Sequence, residues 1–127
     1  MSFPGIIIDT FAWLEILKGS ERGAHALEII EKSAPCSISV LTLYELRYRV
    51  EQLKNKQSAE AFLATITANV EVILVDERVA VLAGELKLGH PHMGAVDCVI
   101  LATGRLHGMK VLTGDNHFNG SEDATLI

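Results

Sequence analysis

The sequence predicts an α/β fold: a three-layer α/β/α sandwich built on a mostly parallel sheet of four to five strands. Three observations predict it. Short apolar runs alternate with helical stretches, and each run is apolar almost throughout instead of at every second residue. The length of 127 residues suits one domain, 1–127, able to bury a sizeable core. Hydrophobic content of 49% with 21% charged residues argues against disorder, and no apolar run approaches the roughly 20 residues of a membrane span.

Taken in order, "GIIID" (5–9) reads as the first strand, and "TFAWLEILKG" follows as a helix closed by Gly19. The opening "MSFPGIIID" lacks a basic region and meets Asp9 early, so it reads as part of that strand and not as a signal peptide. "GAHALEIIEKS" sets Ala24, Leu27, Ile30 and Ala34 at helical spacing. "CSISV" (36–40) is the second strand, followed by the helix "LTLYELRYRVEQLK" and by "SAEAFLATITA", for which Ser58 is the expected N-cap. "VEVILV" (70–75), the helices "ERVAVLAGELKLG" and "GAVDCVILATGRLHG", the strand "KVLTG" (110–114) and a short fifth run "ATLI" (124–127) complete the pattern. Cys36 and Cys98 match no zinc or redox spacing and read as reduced thiols in a cytoplasmic protein.

Right-handed crossovers put the carboxyl ends of parallel strands on one edge, where open sheets bind ligands. Polar residues at strand ends therefore carry the functional expectation. Asp9 ends the first strand and Asp115 follows the fourth. Glu45 lies about one turn into the helix after the second strand. Asp97 lies among Val96, Cys98, Val99, Ile100 and Leu101, in a helix apolar nearly all round, so it is expected in a core setting. Four converging carboxylates with no evident internal cations repel one another; either some hold protons or a divalent ion keeps them ionised. Hard cations such as Mg²⁺ or Mn²⁺ suit an all-oxygen set, and would supply the positive charge that phosphate needs in a chain of net charge −5.

Each acid also has a plain structural explanation. Asp9 can cap the helix starting at Thr10, Glu45 can pair with Arg49 one turn on, and Asp115 in "TGDN" can bond its own turn. The combination favours a site.

In these residues the chain resembles PIN domains, the metal-dependent nucleases that include VapC-type toxins. "IIIDTFAW" resembles the opening strand with its Asp-Ser/Thr pair, and "SVLTLYELRYRV" the segment carrying the Glu. "GAVDCVILATGRLHG" resembles the helix of form Asp-x-x-Ile/Leu-x-Ala, and "KVLTGDNHF" the strand ending in Thr-x-Asp with a phenylalanine after it. The resemblance implies a strand order of 3-2-1-4-5, which would set Asp9 beside Asp115. It implies an Mg²⁺- or Mn²⁺-dependent endoribonuclease acting on RNA, frequent homodimers and, for toxins, a small antitoxin partner. Asp9, Asp97 and Asp115 would hold metal and Glu45 would complete the acidic set. Thr10, Thr113 and Asn116 would support it, with His117 a further polar candidate. Arg47 and Arg49 are the candidate substrate-binding cations. The competing readings are a non-toxic RNA-processing or DNA nuclease of this fold and a non-catalytic metal- or protein-binding module.

Other features carry plain structural readings. Asp76 in "ILVDERVA" reads as a helix cap, "HPHMG" (90–94) as a surface loop, and Phe11 and Trp13 as core or dimer-contact residues. Neither a Gly-x-x-x-x-Gly-Lys-Ser/Thr loop, nor a Gly-x-Gly-x-x-Gly fingerprint, nor a Gly-x-Ser-x-Gly elbow is present. Phe11 stands where a haloacid-dehalogenase-type phosphatase would have its second aspartate.

Overall fold

The computed structural model of the chain describes residues 5–33, 35–118 and 122–127. The expected strand contribution of residues 1–4, the helical place of Ala34 and the side chain of His117 lie outside the described residues. Five strands form one sheet: β1 (Ile6–Ile8), β2 (Cys36–Ser39), β3 (Glu71–Ile73), β4 (Lys110–Thr113) and β5 (Ala124–Leu126). Their order is β3-β2-β1-β4-β5 and every pairing among the described residues is parallel, so the sheet runs 3-2-1-4-5.

Among the described residues six helices connect them: α1 (Thr10–Lys18), α2 (Glu21–Lys32), α3 (Val40–Leu53), α4 (Lys56–Asn69), α5 (Glu77–Gly89) and α6 (Ala95–His107). The all-apolar strands are explained by a core on each face of the sheet. Ile7 and Val111 pack with Ile100, Leu101 and Phe118 on the face covered by α5 and α6. Ile6, Ile8 and Leu112 pack with Trp13, Leu46 and Ile66 on the other. A strand buried on both faces has no use for alternation, which is why period two is missing from the sequence.

Helix termini follow side-chain capping chemistry. Gly19 closes α1 in the left-handed region at φ 68°, where a side chain would be strained, and its N–H turns back to Glu15 and Ile16. Asp76 caps α5 by accepting from the Val79 N–H at 2.9 Å, the role expected of it. The start of α4 differs from expectation. Asn55, not Ser58, is its N-cap, and the Asn55 side chain accepts from the Ser58 N–H at 2.7 Å. Asn and Ser are equally good caps, and only Lys54 and Asn55 separate α3 from α4, so the apolar pattern placed the boundary three residues late.

Trp13 is a core residue, set edge-to-face on Phe62 with ring centroids 6.2 Å apart. It floors an apolar trough of about 580 Å³ bounded also by Ile16, Leu27, Ile30 and Phe62. Both cysteines are free, and burial pushes their thiols above the ordinary range, which suits inert reduced side chains. Among the described residues, no helix is long and apolar enough to cross a membrane.

Candidate active site

The carboxyl ends of β1 and β4 build the site. Ile8 pairs with Leu112, and the Asp9 N–H donates to the Leu112 carbonyl at 3.1 Å, so Asp9 leaves the sheet beside Thr113. Here the chain turns directly into α1. Asp9 is the N-cap, and its Oδ1 accepts from the Ala12 N–H at 2.8 Å. The cap explanation and the site explanation therefore hold together: one carboxylate oxygen serves the helix while the residue lines the cleft.

That cleft, about 200 Å³, is lined by Asp9, Glu45, Asp97 and Asp115, with Thr10, Phe11, Leu14, Glu15, Lys18 and Arg49. All four predicted acids meet in it. Their burial reverses one expectation. Asp97 is only half-buried, because it sits in the first turn of α6 where the helix emerges from the core, while Cys98 and Ile100 beside it are enclosed. The core carboxylate is Asp9, 1% exposed. Its pKa rises from 3.8 to about 7, chiefly because burial penalises the charged form. The Thr113 hydroxyl and the Ala12 N–H oppose this by bonding the carboxylate, whereas the charges of Asp97 and Asp115 add to it.

Hydroxyls order the remaining acids. Thr10 Oγ1 donates to Glu45 Oε1 at 2.6 Å, joining α1 to α3. Thr113 Oγ1 accepts the Asp115 N–H at 2.9 Å while also serving Asp9, so it ties two acids together. Both threonines are buried and stand where the sequence placed supporting residues.

Cations at the cleft were not all foreseen. Arg49 approaches Glu45 to 3.7 Å across one helical turn, and Lys18 lies 3.4 Å from Glu15. Lys18 and Glu15 were missed because an i,i+3 pair on a helix that also carries core residues looks like ordinary surface charge. Arg47 does not line the cleft; it pairs with Glu51 at 2.7 Å on another side of α3. Asn116 begins a short 3₁₀ turn (Asn116–Phe118), is exposed, and is likewise not among the lining residues.

An all-oxygen donor set of this kind fits a hard divalent ion and not a zinc-like one. Among the described residues, no three acidic, histidine or cysteine side chains already enclose a bare ion. The arrangement is an open one, suited to an ion such as Mg²⁺ that keeps several waters and takes one or two carboxylates directly. Four carboxylates lining one cleft, with Asp9 itself buried, are what asks for such a cation.

A parallel 3-2-1-4-5 sheet with four acids gathered at the β1/β4 edge defines a class of acidic, α/β/α-sandwich domains, and comparison with known proteins agrees. The profile of the PIN domain matches residues 6–120, and the chain belongs to the PIN-domain family. It is 32% identical over 96 residues to the Ribonuclease VapC4 of Mycobacterium tuberculosis, covering 71% of this chain and 74% of that one. In fold it is similar to the VapC20 of the same organism, described as a Sarcin-Ricin loop cleaving toxin, with TM-score 0.79, 21% identity and coverage of 93% and 95% of the two chains. It is similar also to a chain of the VapBC2 complex of Rickettsia felis, solved on a promoter DNA fragment, with TM-score 0.75, 21% identity and 96% of each chain covered.

Proposed function

We propose that this chain is a divalent-metal-dependent endoribonuclease of the VapC type, the toxin of a toxin–antitoxin pair. The observation that carries the proposal is the cleft itself: four acids from four separate stretches of the chain line it, and Asp9 among them is buried. Asp9, Asp97 and Asp115 hold the ion, Mg²⁺ or Mn²⁺. When bound, it supplies positive charge against the phosphate, lowers the pKa of water and steadies the leaving oxygen.

The chain's own groups do the rest. Glu45, fixed by the Thr10 hydroxyl, orients the attacking water and accepts its proton. Attack in line on phosphorus breaks the bond to the 3′-oxygen, leaving a 5′-phosphate and a 3′-hydroxyl. Lys18 and Arg49 at the cleft draw the polyanion in, which a net charge of −5 would otherwise discourage.

The ribonuclease similarity supports RNA as substrate, and the toxin–antitoxin complexes among the structural relatives support a small antitoxin as partner. A homodimer belongs to the same proposal, on the likeness to PIN domains.

The test is cleavage of a mixed RNA pool by antitoxin-free wild type and by Asp97→Asn, with Mn²⁺, Mg²⁺ or EDTA. Cleavage that requires metal and vanishes in a folded Asp97→Asn protein is expected. Full activity in that variant, or none in wild type at any metal concentration, refutes the proposal.

A further inference from the structure

Arg22, on α2, is not one of the cleft residues, yet its Nη2 donates to the carbonyl of Gly114 at 2.7 Å, across a sequence separation of 92. Its guanidinium carbon lies 4.8 Å from the centre of the Phe11 ring, so the plane is supported from α1 while its edge bonds the loop after β4. Gly114 is buried between them. A Cβ there would stand 2.6 Å from Arg22 Nη2 and 2.6 Å from Phe11 Cδ1, so the peptide is gripped with no room to spare. On the other side the next N–H, that of Asp115, is held by Thr113 Oγ1 at 2.9 Å.

The placement has a physical purpose. Asp115 and Asp9 line the same cleft, and two carboxylates facing one cleft repel. The loop that carries Asp115 therefore needs an anchor on its backbone. A charged donor supplies one stronger than a neutral group would, and Phe11 keeps its plane in register.

We propose that Arg22, braced on Phe11, is a positioning residue that holds the Gly114 peptide and so sets Asp115 for metal. This rests on the metal-site reading given above. The experiment compares wild type, Arg22→Met and Arg22→Lys in four measurements: exchange of the Asp115 amide without metal, Mn²⁺ affinity by calorimetry, kcat and KM on RNA, and melting in EDTA.

In Arg22→Met the amide exchanges about tenfold faster and Mn²⁺ binds about tenfold more weakly, the size expected for one charge-assisted hydrogen bond. There kcat falls while KM holds, and melting changes little because Arg22 is exposed. Arg22→Lys recovers part of each, since an ammonium can reach the carbonyl without stacking flat on the ring. Unchanged exchange and Mn²⁺ affinity in Arg22→Met overturn the proposal. So does a loss confined to KM, which would make Arg22 a substrate contact. A wild type that binds Mn²⁺ without cutting RNA refutes the nuclease reading alone, and the exchange and Mn²⁺ comparisons still decide the role of Arg22.

Discussion

Asp9→Asn exchanges a single oxygen for an amide nitrogen in the most enclosed carboxyl of the cleft. Asparagine can keep the cap, with its Oδ1 accepting from the Ala12 N–H, and its amide can donate to the Thr113 hydroxyl oxygen. What it removes is the titration. In the unfolded chain Asp9 releases its proton near 3.8; in the fold it holds it up to about 7. Between those values the native state binds the extra proton, so metal-free stability falls as pH rises through this window and levels off above about 7. At ~1.4 kcal/mol per pH unit the interval from 3.8 to about 7 corresponds to a loss of at most about 4 kcal/mol. For a chain of 127 residues that is a shift in melting temperature on the order of 10 °C.

The assay is thermal unfolding in EDTA at pH 4 to 8, read as the gap between Asp9→Asn and wild type. The gap should widen in favour of the variant from pH 4 to 7 and then stay constant. Mn²⁺ at pH 8 should close it by stabilising only the wild type. A gap that does not change with pH would refute the argument that burial holds Asp9 near neutrality.

Further outcomes follow from the same geometry. Thr10→Val deletes the hydroxyl on Glu45, and kcat should drop about tenfold with melting changed by only a few degrees; unimpaired turnover would separate Glu45 from the chemistry. Asp76→Ala removes the cap of α5 and should cost about 1 kcal/mol in denaturant unfolding, with RNA cleavage intact. A loss of cleavage at constant stability there would mean that a third acidic strand end takes part.

The elements were legible because their causes are local. Apolar runs with no alternation specified the strands, the central ones buried on both faces, and each of the five falls within its predicted range. The strand order was not local information; it came with the resemblance, and the β1/β4 pairing agrees with it. Asp9 and Asp115 were legible because strand ends are marked in sequence, whereas Glu45 and Asp97 lie on helices and stood out only in combination with them; all four line one cleft. Their relative burial was misjudged, since the neighbours of Asp97 along α6 say nothing of where that helix leaves the core, whereas Asp9 is enclosed by elements far away in the chain. Arg22 was out of reach for the same reason: its partner lies 92 positions along, and an arginine in the first turn of an amphipathic helix reads as solvent-facing. Arg47, a candidate from the basic run, lies outside the cleft and pairs with Glu51, a contact one turn away that the run alone did not single out.

The double duty of Asp9 bears on how such a protein would decay. If catalysis ceased to be useful, Glu45 and Asp97 would be freer to change than Asp9, since neither caps a helix. Position 9 would still have to close the first turn of α1, and only Asp, Asn, Ser or Thr does so well. Asparagine or serine there would ease the burden of a buried charge, so inactive descendants should keep a capping residue at position 9 and become more stable. An aspartate at that position is a poor witness to activity on its own. Its company at positions 45 and 97 is the better one.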